Sequence, residues 1–257
     1  PDGYSIPCCF KKQKKRDAVP KKVEKTYNYI VDSIKYPVPN ARLGFLPLPV
    51  QIFFNNNAQT CISKTNSALL NGDVKCLLRA GSEQNILSSF IGAIAGAYAE
   101  EHQVNIPSIE QMMIILSESL TLDDFINYNN SSLVSVFRSE HSSNVDIEMY
   151  KKSKLYKMVY GPQDVSNDED DFFRDTVKSF ENFKMYINDN SAFIDHTFLW
   201  EVVSESNLKI FKNGVNLIIL EIYKSKSNSN IRILCPTNPY SQRFFDPSKK
   251  SIILLKQ

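Results

Sequence analysis

The sequence predicts an α+β fold in which a helical first part is followed by a mainly antiparallel sheet with packed helices. Three apolar runs with the length and composition of strands come late in the chain, at 215–223, 231–234 and 251–256. Most of the chain before them has apolar residues at helical spacing. Because the connections between the three runs are too short for helical crossovers, we expect antiparallel pairing.

The helices are predicted from residues that cap them. Ser108 begins a capping box, and Asp195 precedes a short helix that contains the single tryptophan. Ser82 is expected to cap a long helix that ends near residue 101. A stripe of phenylalanines at helical spacing predicts a further amphipathic helix over 170–187.

The length of 257 residues allows more than one domain. We expect an extended basic segment over 1–35, a mainly helical domain over 36–163, and an α+β domain with antiparallel strands over 164–257. The second boundary is placed at an acidic, turn-rich stretch that begins at residue 164. No apolar run is long enough for a transmembrane helix, so no membrane partner is expected.

The five cysteines are odd in number and scattered, which favours a reducing compartment over a disulfide framework. Cys8 and Cys9 are adjacent and are candidate zinc ligands. A zinc site needs four ligands, and neither a CxxC nor an HxxxH spacing lies nearby. We therefore expect free or buried thiols and no cofactor, with zinc at these two residues as the alternative.

Charge is arranged along the chain in a basic, acidic, basic order, although the net charge is only +2. Basic runs of this kind attract polyanions, while the simpler interpretation is a solvated surface. If the chain contacts nucleic acid, the contacts are expected at its basic ends. The candidate residues are Lys11, Lys12, Lys14, Lys15, Arg16, Arg232, Arg243, Lys249 and Lys250.

No catalytic motif is present in the sequence. It contains no P-loop, GxSxG, HExxH or GxGxxG pattern, and its three histidines are scattered. The enzymatic alternative is a restriction-type, magnesium-dependent nuclease, in which an acid and a lysine near the end of a strand hold the metal and a water. Glu221 and Lys224 are the candidates. Their spacing is one residue too long, and a bulge would be needed to bring them to one face.

Several blocks of the sequence together resemble one protein family. In chain order they are PCCFKK, RLGFLPLPVQIFF, KCLLRAGSEQNILSSFIGAIA, FLWEVV, NLKIFKNGVNLIILEIY, IRILCPTNPYS and KKSIILLK. They are similar to blocks in the large subunit of the early transcription factor of nucleocytoplasmic large DNA viruses. The similarity spans most of the chain, and the chain is expected to be an internal portion of that longer subunit.

The resemblance implies a non-enzymatic role in transcription initiation. The family's large subunit binds duplex promoter DNA, recruits the viral RNA polymerase and pairs with a helicase-like ATPase small subunit. ATP hydrolysis belongs to that partner, which agrees with the missing P-loop. The implied location is the virion core and the viral factory in the host cytoplasm. A structural virion or scaffold protein is a further alternative, because it predicts the same globular folding without a catalytic motif.

Overall fold

The computed structural model describes residues 30–63, 76–82, 85, 87–138, 146–161, 165–224, 229–235 and 245–256. Within these ranges helices predominate and strands form two small sheets, which confirms the predicted α+β class. The strands are β1 Ile30–Val31, β2 Leu43–Phe45, β3 Leu78–Ala80, β4 Val215–Lys224, β5 Ser229–Leu234 and β6 Lys250–Lys256. The helices are α1 Leu48–Phe53, α2 Ala58–Cys61, α3 Ser89–His102, α4 Ile109–Ser119, α5 Leu122–Phe125, α6 Ser132–Val136, α7 Lys154–Tyr160, α8 Asn167–Ile187 and α9 His196–Ser204, with 3-10 helices at Tyr128–Ser131 and Ile147–Tyr150.

Helix starts follow the local hydrogen bonds of their capping residues. The capping box at Ser108 and the cap at Asp195 are present as predicted. The prediction that Ser82 caps the long helix is wrong, because α3 begins at Ser89. The side chain of Asn85 accepts from the backbone N–H of Leu87 at 2.9 Å, and this local turn precedes the helix.

The largest hydrophobic core lies between the helices and one face of the second sheet. Met112 of α4, Phe125 of α5, Phe183 of α8, Leu199 of α9 and Leu217 of β4 are all buried in it. Phenylalanine rings account for much of the contact around α8, with ring centroids of Phe125 and Phe183 5.5 Å apart. Residues on both sides of the predicted boundary near residue 164 thus share one core.

The second sheet has the strand order β5-β4-β6, with β4 in the centre. A hairpin makes β4 and β5 antiparallel, whereas β4 and β6 run parallel from Val215 opposite Lys250 to Glu221 opposite Lys256. The prediction of antiparallel pairing is therefore wrong for one of the two pairs. The reason is that β5 itself returns the chain to the start of β4, so no helical crossover is needed before a parallel strand.

A smaller sheet is formed by the strands near residues 30–45 and 78–80. β1 and β2 are parallel, and β3 is antiparallel to β2. Beside this sheet, Cys61 and Cys76 form a disulfide across a sequence separation of 15 residues. The scattered cysteines favoured a reducing compartment over a disulfide framework, and this one disulfide departs from that expectation, because cysteines far apart in sequence can meet in the fold.

Helix α1 connects the two sheets by packing on the second one. Leu46 and Val50 contact Leu220, which lies on the face of β4 that points away from the main core. The short helix covers part of this face and leaves Ile52 exposed. Across the ranges that the structure describes, no helix is both long and apolar enough to cross a membrane.

Candidate nucleic-acid interface

Three of the predicted nucleic-acid contacts lie in the described part of the chain: Arg232 on β5, and Lys249 and Lys250 at the start of β6. The other candidates, and the two candidate zinc ligands, lie outside the described residues. These are Lys11, Lys12, Lys14, Lys15, Arg16 and Arg243, with Cys8 and Cys9.

Arg232 is held by an acid on the neighbouring strand. The register places it directly opposite Glu221, and its Nε donates to Oε2 of that carboxylate. The guanidinium also lies 5.9 Å from the ring centroid of Tyr223. The side chain of Arg232 is 61% exposed, while that of Glu221 is 17% exposed. The cation can be reached by solvent, but its charge is balanced by a carboxylate.

Lys250 is likewise engaged. Its Nζ donates to Oε2 of Glu101, the acid near the end of α3, at 2.6 Å. This hydrogen bond raises the pKa of Lys250 and lowers the pKa of Glu101. The pair joins the edge strand to α3, so a phosphate group would have to compete with an acid that is already in contact.

Lys249 interacts electrostatically with Glu205, which belongs to a group of acids with Glu201 and Asp124. Burial is the main cause that raises the pKa of Glu205, and repulsion from Glu201 and Asp124 adds to it. The positive charge of Lys249 acts in the opposite direction on the same carboxyl. The charge of the third described candidate therefore also acts on a carboxyl group.

The buried acid of this group, Glu201, is bound by a left-handed turn. Asn129, Asn130 and Ser131 have φ values of 49°, 57° and 66°, a conformation that non-glycine residues rarely adopt. The backbone N–H of Asn129 donates to Oε2 of Glu201, and its side-chain amide donates to the carbonyl of Thr197 at 3.1 Å. The unusual backbone conformation of this turn therefore has a structural role, because it places the N–H of Asn129 against the buried carboxylate of Glu201.

The described candidates lie at two ends of the sheet. Arg232 is level with Glu221 of β4, whereas Lys250 is level with Val215. Val215 and Glu221 are roughly 20 Å apart along β4 at the usual rise of a strand. The structure consequently does not bring the three cations into one patch.

The geometry around Glu221 does not favour the nuclease alternative. The pairing of β4 with β5 is continuous from Ile219 to Lys224, without the bulge that a shared face would require. A restriction-type site would need such a bulge to bring the acid and the lysine together, and the backbone pairing leaves no place for it. Among the described side chains, no group of three or more His, Cys, Asp or Glu is placed to hold a metal ion.

One polar site was missed by sequence reasoning. His196, the first residue of α9, lies between Phe90 and Trp200, with ring centroids 6.4 and 5.9 Å away, and its Nδ1 is 3.6 Å from a carboxylate oxygen of Asp195. Burial is the main cause that lowers the pKa of His196; the charge of Asp195 opposes it, and the charge of Lys256 lowers the pKa further. Only its position beside a helix-capping acid marks it in the sequence. A neutral imidazole here can exchange a proton, and no nucleophile faces it among the contacts described.

Comparison with protein-family models, with curated proteins and with solved structures finds no match to this chain.

Proposed function

We propose that this chain is a non-enzymatic part of a viral early transcription initiation factor, which docks to the viral RNA polymerase and to an ATPase partner subunit and contributes to promoter DNA binding. The similarity of sequence blocks over most of the chain supports the proposal. One observation favours protein docking over DNA contact in the described part of the chain. Arg232 and Lys250 form ion pairs with Glu221 and Glu101, and the charge of Lys249 acts on the carboxyl group of Glu205.

The physical reason is that DNA affinity depends on cations that replace the counterions of phosphates. A lysine or arginine in an ion pair can bind a phosphate only after its ion pair with the carboxylate breaks. The carboxylate that is released then repels the phosphate. We therefore assign the DNA contacts to the candidates outside the described residues. These are Lys11, Lys12, Lys14, Lys15, Arg16 and Arg243.

The DNA part of the proposal is tested by binding the whole chain to duplex DNA across a salt series, with and without magnesium. Glutamine at the five cations of 11–16 is expected to lower the slope of log affinity against log salt by up to about 4–5, at roughly 0.9 per phosphate contact. The double change Arg232→Gln and Lys250→Gln serves as the comparison and leaves the slope unchanged. A slope that falls with the second change would contradict the assignment. Magnesium-dependent cleavage would favour the nuclease.

The docking part is tested by sedimentation of the chain with purified viral RNA polymerase and with the ATPase subunit. Co-migration with either protein at moderate salt is the expected result. Self-association without binding to polymerase, ATPase or duplex DNA would instead favour a scaffold protein of the virion, and would sink the transcription proposal.

A further inference from the structure

Strand β6 is an apolar strand at the edge of the second sheet. Within the described ranges it pairs with β4 alone, so the backbone groups on its other side meet no strand there. Its middle, 252–255, is an uninterrupted aliphatic run, and none of its seven residues is buried. The central strand β4, by contrast, buries Leu217, Ile219 and Leu220. An edge with open backbone groups and apolar side chains is a template for a further strand.

Both faces of β6 offer apolar surface to an added strand. Ile252 and Leu254 point to the main core and are only partly covered by it. Ile253 points to the opposite face, next to Ile218 of β4, and is 49% exposed. Alternate side chains of an added strand would therefore pack beside aliphatic side chains on either face.

The charges at β6 indicate the chemistry of the partner. Lys256 is exposed at its end, and none of the described ion pairs involves it. Glu221 is level with Lys256 on β4, but Arg232 occupies that carboxylate. A partner with an acid at this end would supply the missing charge, while a neutral apolar strand would leave the lysine unpaired.

A second copy of this chain does not fit the same edge. β6 begins with Lys250 and ends with Lys256. In an antiparallel pair of two β6 strands centred on Ile253, Lys250 of one copy would face Lys256 of the other, and like charges directly opposite each other destabilise a sheet.

We propose that the outer edge of β6 binds an extended aliphatic segment of a partner protein by strand addition, with an acid of that segment at Lys256. This inference deepens the docking role proposed above and rests on it for the partner's identity. The chemistry of the edge defines the ligand as an acidic-ended aliphatic peptide, which can be tested without the viral partners.

The test uses the whole chain and two peptides of the length of β6. Both have valine and isoleucine between their ends; one has aspartate at its ends and the other has lysine. The aspartate peptide is expected to slow amide hydrogen exchange in residues 251–256, and the lysine peptide is not. Lys256→Glu should weaken binding of the aspartate peptide about two- to fivefold and strengthen that of the lysine peptide. Lys152→Glu, an exposed lysine between the 3-10 helix Ile147–Tyr150 and α7, is the matched control and should change neither affinity.

Three results would overturn the inference: no slowing of exchange in β6 with the aspartate peptide, equal binding of the two peptides, or self-association of the chain that Ile253→Asp abolishes. The last result would assign the edge to a second copy. Each leaves the DNA and polymerase measurements unaffected, so failure of the edge and failure of the transcription proposal remain distinguishable.

Discussion

Arg79 of β3 is buried, and the ion pairs found among the described residues do not include it. Its Nε donates to the carbonyl of Phe45 at 2.7 Å, and one terminal nitrogen donates to the carbonyl of Asp32 at 2.9 Å. The guanidinium carbon lies 4.5 Å from the ring centroid of Tyr36. Burial is the main cause that lowers the pKa of Arg79, and the carbonyls and the ring compensate for lost hydration. One side chain thus joins β2 and β3 to the loop after β1.

We expect Arg79→Met to destabilise this part of the fold by roughly 2–4 kcal/mol, because it leaves several backbone carbonyls without a donor. The measurement is urea unfolding, with hydrogen exchange of β2 to locate the change. Arg42→Met removes a cation from an exposed position of the same region and should cost far less. Equal losses in the two variants would mean that the buried hydrogen bonds of Arg79 contribute little.

His196 and Glu205 make opposite contributions to the pH dependence of the free energy of unfolding. Burial lowers the pKa of His196 and raises the pKa of Glu205. The unfolded chain therefore binds a proton at the histidine more readily than the folded one, and stability from this residue is lost as the pH falls below about 6.5. For the glutamate the folded state holds the proton more readily, so its contribution is present below about pH 4.3 and is lost as the pH rises through the folded pKa.

Single substitutions should separate these two effects. With His196→Asn, the free energy of unfolding should fall less than in the unchanged chain, or rise, as the pH is lowered from about 7.5 to about 5, because of these two contributions only that of Glu205 remains. With Glu205→Gln, stability should fall more steeply over the same interval. Urea titrations at each pH measure both slopes. If the free energy of unfolding changed with pH equally in the two variants, the opposite contributions of His196 and Glu205 would be contradicted.

At the level of elements, α8 is the longest helix and connects the earlier and later parts of the chain. Its start is fixed by a capping box, in which Ser166 accepts from the N–H of Glu169 and Glu169 accepts from the N–H of Ser166. Tyr160 of α7 donates to Asp170, which also pairs with Arg174 one turn later at 2.6 Å. These contacts hold α7 against the first turns of α8.

Ser166→Ala is expected to lower the free energy of unfolding by about 1 kcal/mol, because it removes the side-chain acceptor of the cap. Ser166→Thr keeps a hydroxyl acceptor and should restore most of the loss. Chemical unfolding followed by circular dichroism measures both variants. If alanine and threonine were equally stable here, the cap would not contribute to the stability of α8.

Local patterns predicted the elements better than their pairing. Ser108 and Asp195 marked true helix starts, because a cap depends on residues within one turn. The parallel pairing of β6 depends on which side of β4 the last strand joins, which no periodicity records. The same limit applies to the candidate site: the basic residue Arg232 was found by its charge, but its partner Glu221 lies on another strand and only the fold brings them together.

For the whole molecule, the central question is whether the parts before and after residue 164 unfold together. Phe183 of α8 contacts Phe125 and Phe137, with ring centroids 5.5 and 4.9 Å away, and all three belong to or pack against the main core. The acidic stretch that suggested a boundary includes residues that begin α8. Acids are favoured at a helix start by the helix dipole, so a change in composition there need not separate two cores.

We expect Phe183→Ala to cost about 3–5 kcal/mol, the usual range for a buried phenylalanine replaced by alanine. Because the core is shared, the loss should be equal by two probes: the fluorescence of Trp200 in α9, and hydrogen exchange of α4. Phe193→Ala, at a position that is 60% exposed, is the matched control and should cost little. A loss seen by only one probe would show that α4 and α9 belong to separately unfolding units, and would restore a division near residue 164. Equal shifts would mean that the helical part and the second sheet fold as one cooperative unit, so that a surface such as β6 is presented only by the intact chain.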